Sequence, residues 1–498
     1  MSGLRWLWRQ LTSMRTALIL LFLLALASVP GSLFPQRGTS PLKVSQYLRD
    51  HPKLGPFLDS IHMFDVFASP WFAAIYLLLF VSLAGCVLPR AWVHFNELRG
   101  LPPEAPRNLS RLPTHVAWTS HAQADVVLPN VVGEWKRARW RVRQEGSWIA
   151  AEKGYARESG NVMFHLSLLV LLVSVGLGSA TGFKGTVIVR EGSGFADNVT
   201  QFDTFTPGHF YSADKLPPFS FTLDDFKADY QVGGQQNGAA RLFNARVTFK
   251  KTQSATATKH LIEVNDPLRI DGVSVYLVGH GYAPMFTVKD AKGNVVYKDA
   301  AVFLPQDGNF TSTGVVKAPD TVPQLGLQGF FLPTATKDLT FGPRSTFPAA
   351  LDPQVFISAW VGDLGLDSGL PQSVYKLDTT KMKRIGIEEL KPGEGWKLPG
   401  GKGTVEFTGF KEWAAFSITR DAGKGWALGS SMVAIFGLCL SLLVPRRRVW
   451  LRITAQESGG SLYEVAGLSK TEAPGLTAEI EKLAAHVRKY APEVAHVD

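Results

Sequence analysis

GNVMFHLSLLVLLVSVGLGSATG occupies residues 160–182, and its reading decides the fold. About twenty consecutive apolar residues are needed to cross the hydrocarbon core of a bilayer. This stretch meets that length, with a transmembrane core at 162–180, and carries one ionisable side chain, His165. Three other stretches read the same way: 16–34 (TALILLFLLALASVPGSLF), 70–88 (PWFAAIYLLLFVSLAGCVL) and 426–444 (WALGSSMVAIFGLCLSLLV). None of the four contains Lys, Arg, Asp or Glu. The 498-residue chain is therefore expected to be an integral membrane α-helical protein with four transmembrane helices. Arg5, Arg9 and Arg15 precede the first span, and Ala25-Leu26-Ala27 resembles a leader cleavage site. The apolar run continues past that site, which favours a retained helix over a removed signal.

Lys and Arg give the orientation, because cytoplasmic loops carry an excess of them. Residues 89–161 hold Arg90, Arg99, Arg107, Arg111, Lys136, Arg137, Arg139, Arg141 and Arg143, and the tail opens on Arg446, Arg447 and Arg448. The expected topology has 1–15, 89–161 and 445–498 in the cytoplasm, with 35–69 and 181–425 outside. The formal net charge of +10 is then largely a topology signal. The basic cluster KRARWRVR (136–143) is assigned to the same cause, so the expected surroundings are membrane lipid and not nucleic acid.

The long outer insert, 181–425, reads as a β-rich domain. GTVIVRE, FSFTLDDF, ARVTFKK, VSVYLVG, MFTVKD, NVVYKD, VFISAWV and TVEFTGF alternate or run β-branched, with Gly, Pro, Asn and Asp between them. The loop 89–161 is expected to hold a small α/β element, with a hairpin around Glu145-Gly146. In the tail, Leu476, Ile480, Leu483 and Val487 share one face of an amphipathic helix, read as a packing helix. The two cysteines, Cys86 and Cys439, both lie in apolar spans. That spacing excludes dithiol chemistry in a water-exposed domain and excludes a c-type cytochrome, and both thiols read as packing residues.

Several ordered stretches resemble the ResB family, also called CcsB. They are 14–36 (MRTALILLFLLALASVPGSLFPQ), His165 with 166–194, 265–284 (NDPLRIDGVSVYLVGHGYAP) and 417–453, which holds the last span and its basic exit. The resemblance implies a multi-pass subunit of the System II cytochrome c synthase in the inner (plasma) membrane, with a periplasmic β-rich domain. It implies work with a CcsA-type membrane protein that carries the tryptophan-rich WWD motif, which is absent here. Together they would deliver haem b, held transiently, across the membrane and support its attachment to CxxCH of apocytochrome c. A thioredoxin-like thiol reductant would keep those cysteines reduced. The chain would be a non-catalytic or co-catalytic subunit of this haem lyase, with no catalytic residue assigned. The alternative is a scaffold that binds no haem but stabilises CcsA and docks the reductant and apocytochrome.

His165 carries the site expectation. Its residue context leaves two readings open: a ring that reaches the headgroup zone or a neighbouring helix, and a ligand to iron. The resemblance implies the second, a haem axial ligand. The other axial ligand is expected from the partner, since no other expected span contains histidine. His51, His62, His209, His260 and His280 read as ordinary loop or strand residues, with His280 in a GHGY turn. The stretch 203–227 is either a docking surface or a solvated loop, and the loop reading is preferred. A receptor is disfavoured because no recognisable output module follows the last span. A free-standing transporter is disfavoured because the spans lack internal repeats and charged pathway residues.

Overall fold

The computed structural model describes residues 2–38, 41–338, 342–366, 374–456, 459–469 and 475–494. The chain divides into two units, Met1–Gly176 with Gly423–Asp498, and Leu177–Ala422.

The first unit contains α1 (Ser2–Leu11), α2 (Met14–Leu33), α3 (Pro41–Asp50), α4 (Leu54–Ser60), α5 (Pro70–Arg99), α6 (Ala124–Arg137), most of α7 (Ala156–Thr181), α8 (Lys424–Leu443) and α9 (Leu476–Arg488). Helices α2, α5, α7 and α8 are each long and apolar enough to cross a membrane. Ser13 caps α2 by accepting from the Thr16 amide, and Ser69 caps α5, where Pro70 occupies the first turn. These caps satisfy amide donors that the helix itself cannot. Helix α5 runs 30 residues, eleven past the expected end of the span at 88. Pro89 does not stop it, and the helix continues through Arg90, His94 and Arg99.

The basic loop forms the expected hairpin, Arg141–Glu145 against Trp148–Lys153, with Gly146 at φ +53° in its turn. The sheet it belongs to has an order that loop composition did not reveal. Its five antiparallel strands run Thr114–Ser120, Ser461–Ser469, Arg447–Ala455, Trp148–Lys153, Arg141–Glu145. The tail therefore supplies two adjacent inner strands as well as the expected helix. Helices α6 and α9 cover one face, over Trp118, Val131, Trp135, Ile149, Leu451, Tyr463, Ile480 and Val487. Trp118 Nε1 donates to the Ala491 carbonyl at 2.9 Å, and Tyr463 donates to that of Ala122 at 2.9 Å, so neither buried aromatic leaves its polar atom unpaired. Ile480 fits only because residue 467 is glycine; a Cβ there would lie 2.3 Å from its Cδ1.

The second unit is built on two 17-residue strands, Val273–Lys289 and Thr404–Arg420, paired antiparallel along their length. One end packs into a core of Val187, Phe221, Val247, Ile262, Val275 and Phe416. The other end packs into a core of Tyr282, Phe286, Leu327, Phe331, Ile357 and Phe407. A four-stranded sheet (Gly194–Ala196, Ser220–Tyr230, Ala240–Lys250, Thr258–Glu263) closes the first core. A five-stranded sheet (Leu304–Pro305, Ser312–Ala318, Leu325–Leu332, Gln354–Gly362, Met382–Leu390) closes the second. Two expected strands, around 273–279 and 285–290, are thus one. The GHGY segment is not a turn: its glycines sit inside the long strand, with a register shift between Leu277 and Gly279. Gly281 lies under the Trp413 ring, where a Cβ would come within 2.5 Å of Cζ2.

Where the two cores meet, His280 is buried between Phe310 (4.4 Å between centroids), Phe243 (4.8 Å) and Phe226 (5.0 Å), with Nε2 2.9 Å from the Tyr230 hydroxyl. Burial pushes its pKa down to about 4. Glu412 is pushed up to about 8 by burial and by Glu191 and Asp225 beside it. Asp197, whose carboxylate oxygens have no hydrogen-bond partner among the described residues, is pushed up to about 7 by burial. The signs oppose. Folded Glu412 keeps a proton that the unfolded side chain, near 4.5, has released, so its contribution is complete below pH 4.5 and is lost as pH rises through 8. Asp197 acts in the same sense. His280 stays neutral while the unfolded ring, near 6.5, takes a proton, so its contribution is complete above pH 6.5 and is lost as pH falls toward 4.

Two measurements check this packing. Ile480→Ala is expected to cost about 2–5 kcal/mol in the sheet unit, read as faster hydrogen exchange in Thr114–Ser120 and Arg447–Ala455 together. In the second unit, protection of the two long strands is expected to fall from about pH 6.5 to about pH 9, and to fall less in Glu412→Gln. A wild-type profile flat over that range would contradict the assignment.

Candidate functional site

Helices α2, α5 and α7 enclose a cleft of about 900 Å³, within the ~300–1,000 Å³ usual for small-molecule sites. Helical periodicity assigns each wall. Ala17, Leu21 and Leu24 come from α2; Leu79, Leu83, Cys86, Arg90 and His94 come from α5; Asn161, His165, Leu168 and Leu172 come from α7. These positions recur at three- and four-residue intervals, so each helix turns one face to the cleft. Small residues bring the helices together. A Cβ at Gly160 would lie 2.6 Å from the Gly437 carbonyl of α8, and one at Gly85 would lie 2.2 Å from Thr12 Cγ2. The Tyr76 hydroxyl donates to the Leu172 carbonyl and joins α5 to α7 at the far end of the cleft.

His165 lines this cleft. Its Nδ1 lies 2.9 Å from the carbonyl oxygen of Asn161, one turn earlier. A carbonyl can only accept, so Nδ1 donates this bond, and in the neutral tautomer that fits it the lone pair sits at Nε2. Among the described residues nothing hydrogen-bonds that nitrogen. Metal-ligating histidines usually donate the other ring N–H to a carbonyl or carboxylate in this way. Phe164 packs edge-on to the ring, 5.1 Å between centroids.

His94 corrects one expectation: a second spanning helix does carry a histidine. The residue was missed because the apolar run ends at Leu88 while the helix goes on. The only sequence signal was continued helical spacing from Cys86 through Arg90 to His94. It is 8% exposed, with Nε2 3.1 Å from Ser159 Oγ and Nδ1 3.8 Å from Glu158 Oε2, so both ring nitrogens face partners on α7. His94, Glu97 and Glu158 bring ligand atoms within 4.8 Å of one another. A cation is already present there, because Arg446 pairs with Glu158 and, through Nε, with Glu152. Arg448 Nε reaches the same Glu152 oxygen at 2.9 Å, and the Tyr155 hydroxyl donates to the other. Burial works to raise the Glu152 pKa, but the hydrogen bonds from Arg446, Tyr155 and Arg448 outweigh it and hold the carboxyl below its usual value. The cluster reads as an ion-pair network tying the start of α7 to the end of α8.

The other sequence candidates do not join a site. His51 stacks on Tyr47 at 4.3 Å, His62 takes a left-handed φ of 63°, and His209 packs edge-on to Phe210. His260 lies on an edge strand and His280 in its aromatic cage. In the stretch 203–227, Asp203 is tied down: its Oδ2 accepts from the Ile188 amide at 2.7 Å, and the Tyr375 hydroxyl donates to Oδ1 at 3.2 Å. Phe205, Tyr211 and Leu216 pack against the first core of the second unit. Cys86 lines the cleft and Cys439 lies on α8; both thiols are free.

Comparison with known proteins bears on the whole chain. Cytochrome c biogenesis protein CcsB of Synechococcus sp. (strain WH7803) is 24% identical over 479 residues, 95% of this chain and 96% of that protein. Its namesake in Synechococcus sp. (strain JA-2-3B'a(2-13)) is 27% identical over 272 residues, 53% of this chain and only about half (55%) of that protein. Cytochrome c biogenesis protein CCS1, chloroplastic, of Arabidopsis thaliana is 23% identical over 423 residues, 79% of this chain and 74% of that protein. A sequence model of the ResB-like family matches residues 14–481, from the first turn of α2 into α9. With four membrane-length helices and a match over nearly its full length, this membrane protein belongs to the ResB-like family.

Proposed function

We propose that the chain is a membrane subunit of cytochrome c biogenesis that holds haem in the α2–α5–α7 cleft during its passage to apocytochrome c. One observation carries the reading: His165 donates through Nδ1 to its own helix and keeps Nε2 free beside an apolar cavity. A neutral imidazole nitrogen suits haem iron, and apolar walls suit the macrocycle. The family match and the relatives' names support the pathway. Haem is cargo in this scheme. His165 anchors its iron, Leu79, Leu83 and Leu168 exclude water from its faces, and the ion-pair network holds α7 in register.

The second axial ligand is assigned to a CcsA-type WWD partner, because both His94 nitrogens already face Ser159 and Glu158. The same partner presents haem to the CxxCH thiols, which a thioredoxin-like protein keeps reduced. The distribution of Arg and Lys supports cytoplasmic termini and a periplasmic second unit.

Two experiments test this. Deleting the gene is expected to abolish mature c-type cytochromes, and normal levels would end the reading. In the complex purified with its partner, His165→Ala is expected to lose most bound haem by its Soret band and to regain it with exogenous imidazole. Unchanged haem in the intact complex would leave the scaffold role.

A further inference from the structure

We infer that Arg90 receives the carboxylate tails of the tetrapyrrole and so fixes which edge of it faces which end of the cleft. This deepens the proposed function and rests on it. Arg90 lies on the cleft face of α5, one turn beyond Cys86 and one turn before His94. Among the described residues it has no carboxylate partner, although acidic side chains line the same cleft. Glu158 is held by Arg446, and Glu97 stands two turns further along α5, so neither neutralises it. Two cross-helix contacts tie α5 to α7. His94 meets Ser159, and Tyr76 meets Leu172. Arg90 and His165 line the same cleft from these two helices.

An ionised carboxylate entering a hydrocarbon-walled cleft needs a charge partner or must stay outside it. Guanidinium matches a carboxylate with two parallel N–H donors and keeps its charge when partly desolvated. The cleft therefore pairs an iron ligand with a cation on facing helices. An amphipathic porphyrin held at both points has its carboxylate edge at the Arg90 end and its apolar edge along Leu168 and Leu172. The competing role for Arg90 is that of an anchor reaching lipid phosphates, as basic residues near helix ends do.

The test uses the full chain in nanodiscs, titrated with ferric protoporphyrin IX and with its dimethyl ester, and followed by Soret absorbance. Wild type is expected to bind the free acid about tenfold or more tightly than the ester. Arg90→Gln is expected to remove that preference by weakening the free acid alone, and Arg90→Lys to restore part of it. Equal affinity for acid and ester in wild type, or a preference that survives Arg90→Gln, would make Arg90 a lipid anchor only and overturn the inference. His165→Ala separates the two levels. If it alters the Soret spectrum of both porphyrins while Arg90→Gln alters no affinity, the haem site stands and the Arg90 assignment falls. If neither porphyrin binds wild type, both fall together.

Discussion

A polar ring on the wall of an apolar cleft needs a partner, and here α7 supplies it from within. The Asn161 carbonyl, one turn below His165, accepts a hydrogen bond from Nδ1–H, and among the described residues Nε2 has no hydrogen-bond partner. Everything around that nitrogen is arranged to hold it still. Glycines at 160 and 437 let α7 and α8 touch backbone to backbone. His94 and Tyr76 cross from α5 to α7 at two levels. Breaking either hydrogen bond leaves a polar atom between the helices to be satisfied elsewhere, which makes the arrangement specific as well as stable.

The sheet of the first unit has a mechanical consequence. The strand Trp148–Lys153 runs directly into α7, and α8 runs directly into Arg447–Ala455; these two strands are neighbours in register, Glu152 beside Arg448. Hydrogen bonding between them fixes the spacing of the two helix ends. Arg446, 4% exposed, then bridges Glu152 and Glu158 across the same junction. Buried ion pairs are weak evidence for stability, because desolvation cancels much of their attraction, but loss of one partner strands the other. Their role here is registry. The second unit shows the same economy at its own chain ends, where Phe183 pairs with Arg420, so the chain enters and leaves it on adjacent strands.

Hydropathy made the four membrane-length helices legible because lipid imposes one simple length rule. It misplaced the end of α5 because the rule reads solvation and not helix continuity: Arg90, His94 and Arg99 are polar yet helical. The hairpin at Glu145-Gly146 was readable from local turn chemistry. Its neighbour Arg447–Ala455 was not, since pairing with Trp148–Lys153 across some 300 residues leaves no local signature. The Gly279–Gly281 pair suggested a turn by composition. In the long strand those glycines instead accommodate a register shift and the Trp413 ring. His165 stood out as the lone ionisable group of its span. The freedom of its Nε2 leaves no mark in the sequence, because it depends on where one backbone carbonyl points.

The central claim is that His165 Nε2 binds iron. Pulsed EPR of the low-spin ferric complex tests it most directly, with the chain uniformly ¹⁵N-histidine-labelled and its partner unlabelled. Ligation by His165 predicts ¹⁵N hyperfine coupling of the strength of a directly bound imidazole nitrogen, lost in His165→Met while the labelled His94 remains. A spectrum with ¹⁴N couplings only in the wild-type chain, or a ¹⁵N coupling that persists in His165→Met, would contradict it.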